Sequence, residues 1–151
     1  MRKCVMFPKA LSVCLYFVAG CGGGDSSDGT ASTDFTGQYQ GLMNRVINEC
    51  QISFDWDGVY LVEHEGDSLI LQVGDRYPRR YAAVVTSPNS FTATNPTETN
   101  GACTSQSRYD FSEITESSAV VRWTVDYSKG CFLAPSSSAC TVAFEGVLPR
   151  Q

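Results

Sequence analysis

The residue types that support catalysis or metal binding are scarce in this 151-residue chain, which has a single histidine, His64. It lies in Glu63-His64-Glu65, next to the turn-forming pair Gly66-Asp67. In a β-strand, neighbouring side chains face opposite sides, so both glutamates would face away from the imidazole. One histidine with carboxylates that do not converge makes a weak transition-metal site. We therefore expect an exposed histidine at a hairpin tip, and neither a metal nor a cofactor.

Two short motifs resemble known sites but lack the partners that those sites need. Gly66-Asp67-Ser68-Leu69 spells the signature of the GDSL hydrolases, whose serine is activated by an aspartate and a histidine near the C-terminus, yet no histidine follows Ser68 here. Asp55, Asp57 and Gly58 resemble the middle of an EF-hand calcium loop, but the place of its bidentate glutamate falls on His64. Hairpin turns at Gly66-Asp67 and at Asp57-Gly58 explain both motifs better. The sequence predicts no catalytic residue and a protein that is not an enzyme.

The N-terminal stretch has the layout of an export signal. Met1-Arg2-Lys3 is positively charged and Leu11 to Val18 is apolar, and the apolar stretch of about 13 residues is shorter than the roughly 20 that span a bilayer. Val18-Ala19-Gly20-Cys21 resembles the lipobox of bacterial lipoproteins. This resemblance implies cleavage before Cys21, lipidation of Cys21 and anchoring in the membrane of the bacterial cell envelope. In that family an aspartate after the cysteine retains the protein in the inner membrane, so Gly22 favours the outer membrane.

The signal divides the chain into residues 1–20, a Gly/Ser-rich flexible tether over residues 21–33, and one domain over residues 34–151. Three of the 11 basic residues precede Cys21, so the rest of the chain has 8 basic and 16 acidic residues and a net charge of −8. Such a chain repels phosphate backbones, and we expect no nucleic-acid partner. Arg76, Arg79 and Arg80 form the only basic cluster, which we interpret as solvated loop residues rather than an anion site.

Four cysteines remain in the domain, namely Cys50, Cys103, Cys131 and Cys140. An even number in an exported chain predicts two disulfides, and the absence of a C-x-x-C pair disfavours a metal site. Of the three possible pairings we favour Cys131–Cys140 with Cys50–Cys103.

The domain alternates apolar and polar residues with period two and has turn signals between segments, which predicts about eight short antiparallel strands and an all-β fold. The clearest strand is Ser118 to Tyr127. Others are expected around Phe35–Gly41, Cys50–Trp56, Val59–Glu63, Leu69–Val73, Tyr81–Val85, Phe91–Ala93, Tyr109–Phe111 and Val142–Gly146. Leu42, Val46 and Glu49 could instead form one helical turn between Gly41 and Cys50.

A meander of this kind has exposed edges unless it closes. We expect an up-and-down barrel with the strand near Tyr39 beside the strand near Phe144, and a β-sandwich is the alternative. Gly37-Gln38-Tyr39, Asp126-Tyr127 and Arg150 faintly resemble signatures of the lipocalins, which are barrels.

Two functions of different classes are compatible with such a domain. In the first, Phe54, Trp123, Tyr127 and Phe144 line the barrel and hold a small apolar or amphipathic ligand, although the same rings could simply fill the core. In the second, the domain is an interaction or inhibitor lipoprotein that presents its loops to an extracellular protein. The loops at Asn95–Ala102 and Cys131–Cys140 would be its surfaces.

Overall fold

The computed structural model of this protein describes residues 33–74, 76, 78–131 and 138–151. These residues form nine strands and no helix. The strands are β1 (Gly37–Asn48), β2 (Trp56–Glu65), β3 (Ser68–Val73), β4 (Arg79–Ser87), β5 (Ser90–Thr94), β6 (Glu98–Asn100), β7 (Cys103–Ser112), β8 (Ser118–Tyr127) and β9 (Cys140–Pro149). The predicted signal peptide, Cys21 and the tether up to residue 32 lie outside the described residues. Within the part of the chain that is described, no helix could cross a membrane.

The sheet closes into a barrel because its first and last strands pair. β1 and β9 run antiparallel, with Asn44 opposite Glu145 and Arg45 opposite Phe144. Every other strand of the wall pairs with the strand that precedes or follows it in the chain, apart from β5, which pairs with β7. The three-residue β6 is an additional strand beside β7. The predicted all-β up-and-down barrel, closed by the strands of Tyr39 and Phe144, is therefore confirmed, and the sandwich is not formed.

Inward-facing side chains fill most of the barrel. Buried residues alternate with more exposed ones along the strands of the wall, so one face of the sheet turns to the interior. At one end, which we call the closed end, Phe35 and Ile114 are buried, and the Phe35 ring lies against Phe91 with 5.7 Å between centroids. The opposite end, which we call the mouth, is formed by the segments 49–55 and 95–102 and by the strand ends at Gly74 and Ser128.

The first third of the domain differs from the sequence prediction. β1 continues to Asn48, so the helical turn after Gly41 is not formed, and the expected strand Cys50–Trp56 is instead a loop up to Asp55. Asp57 and Gly58 lie inside β2 opposite Leu42 and Gly41, so the predicted hairpin turn was wrong. Gly58 is required by packing, because a Cβ there would lie 2.5 Å from the Tyr60 ring.

The two disulfides form from the four predicted cysteines but with a different pairing. Cys50 is bonded to Cys140 and Cys103 to Cys131, so the expected bridges Cys131–Cys140 and Cys50–Cys103 were wrong. The reason is strand adjacency. Cys50 follows β1 and Cys140 begins β9, which are neighbours, and Cys103 begins β7 while Cys131 follows its neighbour β8. Both bridges therefore lie at the mouth.

Candidate functional site

The mouth contains a cavity of about 260 Å³ between the ends of the strands. Its walls are aromatic on one side and polar on the other. It is lined by Trp56, Val73, Gly74, Arg79, Tyr81, Asn95, Glu98, Ser105, Ser107, Tyr109 and Trp123. Below it the barrel is filled by fully buried side chains that include Tyr60, Leu71 and Phe111. The cavity is thus a shallow chamber above a packed core.

The aromatic side of the cavity is a row of rings from β4, β7, β8 and β2, of which only β7 and β8 are neighbouring strands. Tyr109 and Trp123 are direct cross-strand partners, and their rings are parallel within 2° with centroids 6.2 Å apart. Tyr81 stacks on Tyr109 at 5.7 Å, and Trp56 lies 4.5 Å from Trp123 at an angle of 50°. Because several contacts fix each ring, the row is a preformed apolar surface.

Trp123 is the one member of this row whose polar group lacks a partner. Its Nε1 is buried and has no hydrogen-bond acceptor among the described residues. In contrast, the Tyr60 hydroxyl accepts a hydrogen bond from Trp56 and donates one to Met43 Sδ at 3.3 Å. Because this atom is closed off from solvent, it does not open onto the cavity, and its missing hydrogen bond is a free-energy cost of the packing around it.

Burial also raises the pKa of two tyrosines at the site. It raises the pKa of Tyr109 well above the usual tyrosine range, and the neighbouring Tyr81 raises it further. Burial likewise raises the pKa of Tyr60, which lies directly beneath the cavity. A phenol with the ordinary pKa of about 10 is already neutral at physiological pH, so these shifts only widen the margin, and neither phenol adds a charge to the cavity.

The polar side is organised by Asn95, which is 4% exposed. Its backbone N–H donates to the Ser107 carbonyl at 3.0 Å and its side-chain oxygen accepts from the Ser107 N–H. Its amide also approaches Glu98 Oε1 at 3.5 Å. Glu98 pairs with Arg79, and the Arg79 pKa is raised by a hydrogen bond to Tyr81 and by the charge of Glu98. The two charges at the rim therefore neutralise each other.

The Arg79–Glu98 pair bridges a gap in the barrel wall. β5 pairs with β4 only from Ala83 onward, and β6 pairs with β7 alone. The mouth half of β4, from Arg79 to Ala82, thus has no strand partner on that side within the described ranges. Side chains rather than backbone ladders therefore close the wall here.

The four aromatic residues that the sequence suggested as ligand-lining lie in different places. Trp123 lines the cavity, and Phe144 is fully buried next to it with ring centroids 5.4 Å apart. Phe54 is 48% exposed and stacks on Phe144 from the loop after β1, so it covers the barrel rather than lining its interior. Tyr127 is half-buried on a separate groove beside Asp126 and Ser128. Their role in ligand binding stays a prediction.

The motifs near the first hairpin tip lie at the closed end, away from the cavity. Gly66 adopts φ +62° at the tip, which confirms the turn, and His64 and Ser68 beside it are exposed. Glu63 accepts a hydrogen bond from Gln72, and Glu65 pairs with Arg80 at 3.4 Å. Among the described residues, no three His, Cys, Asp or Glu side chains are grouped closely enough to hold a metal ion.

Three of the residues behind the lipocalin resemblance, Gly37, Tyr39 and Arg150, meet at the closed end. Arg150 pairs with Tyr39 through a β-bridge, and its guanidinium contacts Asp34 Oδ2 at 2.8 Å. Hydrogen bonds from Thr36, with a contribution from Arg150, lower the pKa of Asp34. A Cβ at Gly37 would lie 2.8 Å from Arg150 Nε, so the glycine makes room for the arginine.

The comparisons with known proteins add no relative. The chain matches no protein-family model, no curated protein and no solved structure. The fold defines the protein as a small, closed eight-stranded barrel with one additional strand and two disulfides, and its function is inferred from the site alone.

Proposed function

We propose that this protein is a non-catalytic binding module of the bacterial cell envelope that holds a small amphipathic ligand in the mouth of its barrel. The observation that carries the proposal is the cavity of about 260 Å³ in which a rigid aromatic row faces a polar rim. Binding sites for small molecules typically combine an apolar concave wall with a few placed polar groups.

The lipobox resemblance supplies the location in this proposal. Lipidation of Cys21 would anchor the chain, with Gly22 favouring the outer membrane, and two or more acyl chains make such an anchor stable. The described chain begins at Thr33 and Asp34, which lie at the closed end beside Arg150.

Native mass spectrometry tests the proposal. The full chain carrying Cys21→Ser, exported to an oxidising compartment and purified without detergent, is mixed with a small-molecule extract of a bacterial envelope. We expect a bound adduct that survives gentle ionisation. Val73→Phe fills the cavity and should remove the adduct, whereas Gln72→Phe, on the same strand but directed outward to Glu63, should retain it. No adduct on the unfilled barrel, or equal adducts on both variants, would contradict ligand binding at the mouth.

The position of the disulfides favours one other candidate, an interaction protein that acts through its loops. Both bridges hold segments at the mouth, Cys50 with Cys140 and Cys103 with Cys131. Preformed loops lower the entropy cost of binding a protein partner. The two candidate functions differ in how binding responds to reduction of the disulfides and to Val73→Phe. Loop-mediated binding of a protein should be lost when the disulfides are reduced but should tolerate a filled cavity.

A further inference from the structure

We propose that Asn100 is a site of spontaneous covalent modification. In this reaction the backbone nitrogen of Gly101 displaces ammonia from the Asn100 side chain, and the main product is an isoaspartate that separates strand β6 from β7. The inference stands apart from ligand binding, but it concerns the segment 95–102, which forms part of the mouth.

Asn100 is the only asparagine in the chain that is followed by glycine. The other four precede a larger residue or proline, in Asn44-Arg45, Asn48-Glu49, Asn89-Ser90 and Asn95-Pro96. The attacking atom is the nitrogen of the following residue, and glycine hinders that nitrogen least because it has no Cβ. Proline has no N–H to lose, so Asn95 cannot react in this way.

The structure leaves both reacting groups accessible. Asn100 is exposed at the end of β6, and Gly101 follows it in the turn with φ +63°. A Cβ at Gly101 would meet no atom within 4 Å, so the space around the turn is open. Among the described residues, neither the Asn100 side-chain amide nor the Gly101 N–H forms a hydrogen bond. The side chain can therefore rotate toward the nitrogen, and no acceptor in the protein holds the proton that the nitrogen must lose.

Strand β6 is weakly enough held to open for this reaction. Ring closure requires the Asn100 backbone to rotate out of the extended conformation of a strand. β6 has only three residues, all exposed, and pairs with β7 alone. Segments with few buried contacts open locally at a small cost in free energy. Since Asn100 is the last residue of β6, opening its single pair with Cys103 is sufficient.

The reaction proceeds in two steps and consumes only water. After losing its proton to solvent, the Gly101 nitrogen attacks Asn100 Cγ, the bond from Cγ to Nδ2 breaks, and Nδ2 takes up a proton and leaves as ammonia. The product is a five-membered succinimide ring. Water then cleaves one of the two bonds from a carbonyl carbon to the ring nitrogen. Cleavage at Cγ gives aspartate, and cleavage at the main-chain carbon gives isoaspartate. The second product predominates because the amide nitrogen on Cα withdraws electrons from the main-chain carbon.

An isoaspartate at position 100 is incompatible with the pairing of β6. The main chain then runs through Cβ, which adds one backbone atom between β6 and the turn. The pairs of Thr99 with Thr104 and of Glu98 with Ser105 lose their register, and β6 has no second neighbouring strand to hold it. Glu98 then moves away from Arg79, its partner at the rim. The modification therefore alters the polar side of the mouth.

Peptide mapping by mass spectrometry tests the site. The full chain carrying Cys21→Ser is kept folded and oxidised for several days, at neutral and at mildly alkaline pH, and is then reduced and digested with trypsin. The tryptic peptide from Tyr81 to Arg108 contains Asn89, Asn95 and Asn100, so one peptide reports on all three. We expect Asn100 to lose its amide, faster at the alkaline pH, while Asn89 and Asn95 keep theirs. Fragmentation should identify most of the product as isoaspartate.

Asn100→Gln is the matched control variant. It keeps a side-chain amide at the same exposed position, but attack by the Gly101 nitrogen would have to form a six-membered ring, which closes much more slowly. The variant should therefore stay unmodified over the same incubation. Hydrogen exchange then tests the effect on β6. Residues 98–105 should exchange faster after incubation than before when Asn100 is present, and at an unchanged rate in Asn100→Gln.

The outcomes distinguish the site from its structural effect. Loss of the amide at Asn100 together with faster exchange over residues 98–105 supports the whole proposal. An Asn100 that keeps its amide, or that loses it no faster than Asn89, overturns the site. Conversion of Asn100 to isoaspartate with unchanged hydrogen exchange overturns the separation of β6 from β7.

Discussion

The disulfide pairing offers the most quantitative test of the structure. In the barrel, Cys50–Cys140 joins the ends of β1 and β9 across 90 residues of sequence, and Cys103–Cys131 joins β7 to the segment after β8 across 28. Replacing both cysteines of one bridge by alanine should therefore remove one cross-link and leave the other intact. A mismatched pair of replacements should remove both.

The loop lengths set the size of the effect. In the chain-entropy description, a cross-link destabilises the unfolded state more when it closes a longer loop. The separations of 90 and 28 residues correspond to about 4.6 and about 3.6 kcal/mol at 25 °C. A domain of this size has a net stability of about 5–15 kcal/mol, so either loss is a large part of the total.

The assay is urea unfolding followed by tryptophan fluorescence, together with a count of free thiols, on chains carrying Cys4→Ser, Cys14→Ser and Cys21→Ser, so that every counted thiol belongs to the domain. The matched variant Cys50→Ala/Cys140→Ala should have no free thiol in the domain, and should lose more stability than Cys103→Ala/Cys131→Ala. The mismatched variant Cys50→Ala/Cys103→Ala should expose the two remaining thiols and be the least stable. An intact Cys131–Cys140 bridge in that variant would contradict the pairing of β1 with β9 and of β7 with β8, which brings the bridged cysteines together.

Two further predictions concern the core. Burial raises the pKa of Tyr60 above its ordinary 10.0, so the folded state keeps a proton that the unfolded state releases above pH 10. Stability should be unaffected by this group below pH 10 and should fall above it, and Tyr60→Phe should reduce that fall by about 1.4 kcal/mol per pH unit in urea titrations. A Cβ at Gly146 would lie 2.7 Å from the Leu42 carbonyl oxygen, whereas one at Gly41 meets only a flexible leucine methyl at 3.2 Å. Gly146→Ala should therefore cost about 1–3 kcal/mol and Gly41→Ala clearly less, and equal unfolding midpoints would contradict the packing described for β1 and β9.

Much of the fold could be predicted because the alternation of apolar and polar residues along a strand is a local property of the sequence. Ser118 to Tyr127 is β8 with the predicted bounds, and its row from Ala119 to Val125 faces the interior as expected. The hairpin at Gly66 was predicted because a turn needs a residue that adopts positive φ. Asp57-Gly58 has the same local signature, but there the glycine accommodates the Tyr60 ring, a contact that no local pattern reveals.

Features that depend on strands distant in sequence were predicted less well. The four disulfide cysteines were identified from their number, while their pairing followed from which strand ends are neighbours in the closed barrel. The cavity likewise depends on strands that are distant in sequence. Trp123 was expected in the interior because apolar and polar residues alternate along its strand. Arg79 and Glu98 meet only because β4 and β6 flank the gap in the wall. Asn95, in a loop predicted to be exposed, is buried by its hydrogen bonds to Ser107.

The central claim is that the mouth binds a small molecule, and a crystal structure of the protein soaked in the envelope extract tests it most directly. We expect a bound molecule in the cavity, in contact with Trp56 and with the polar rim at Arg79 and Glu98. Water alone in the cavity, or side chains that close it, would contradict the claim.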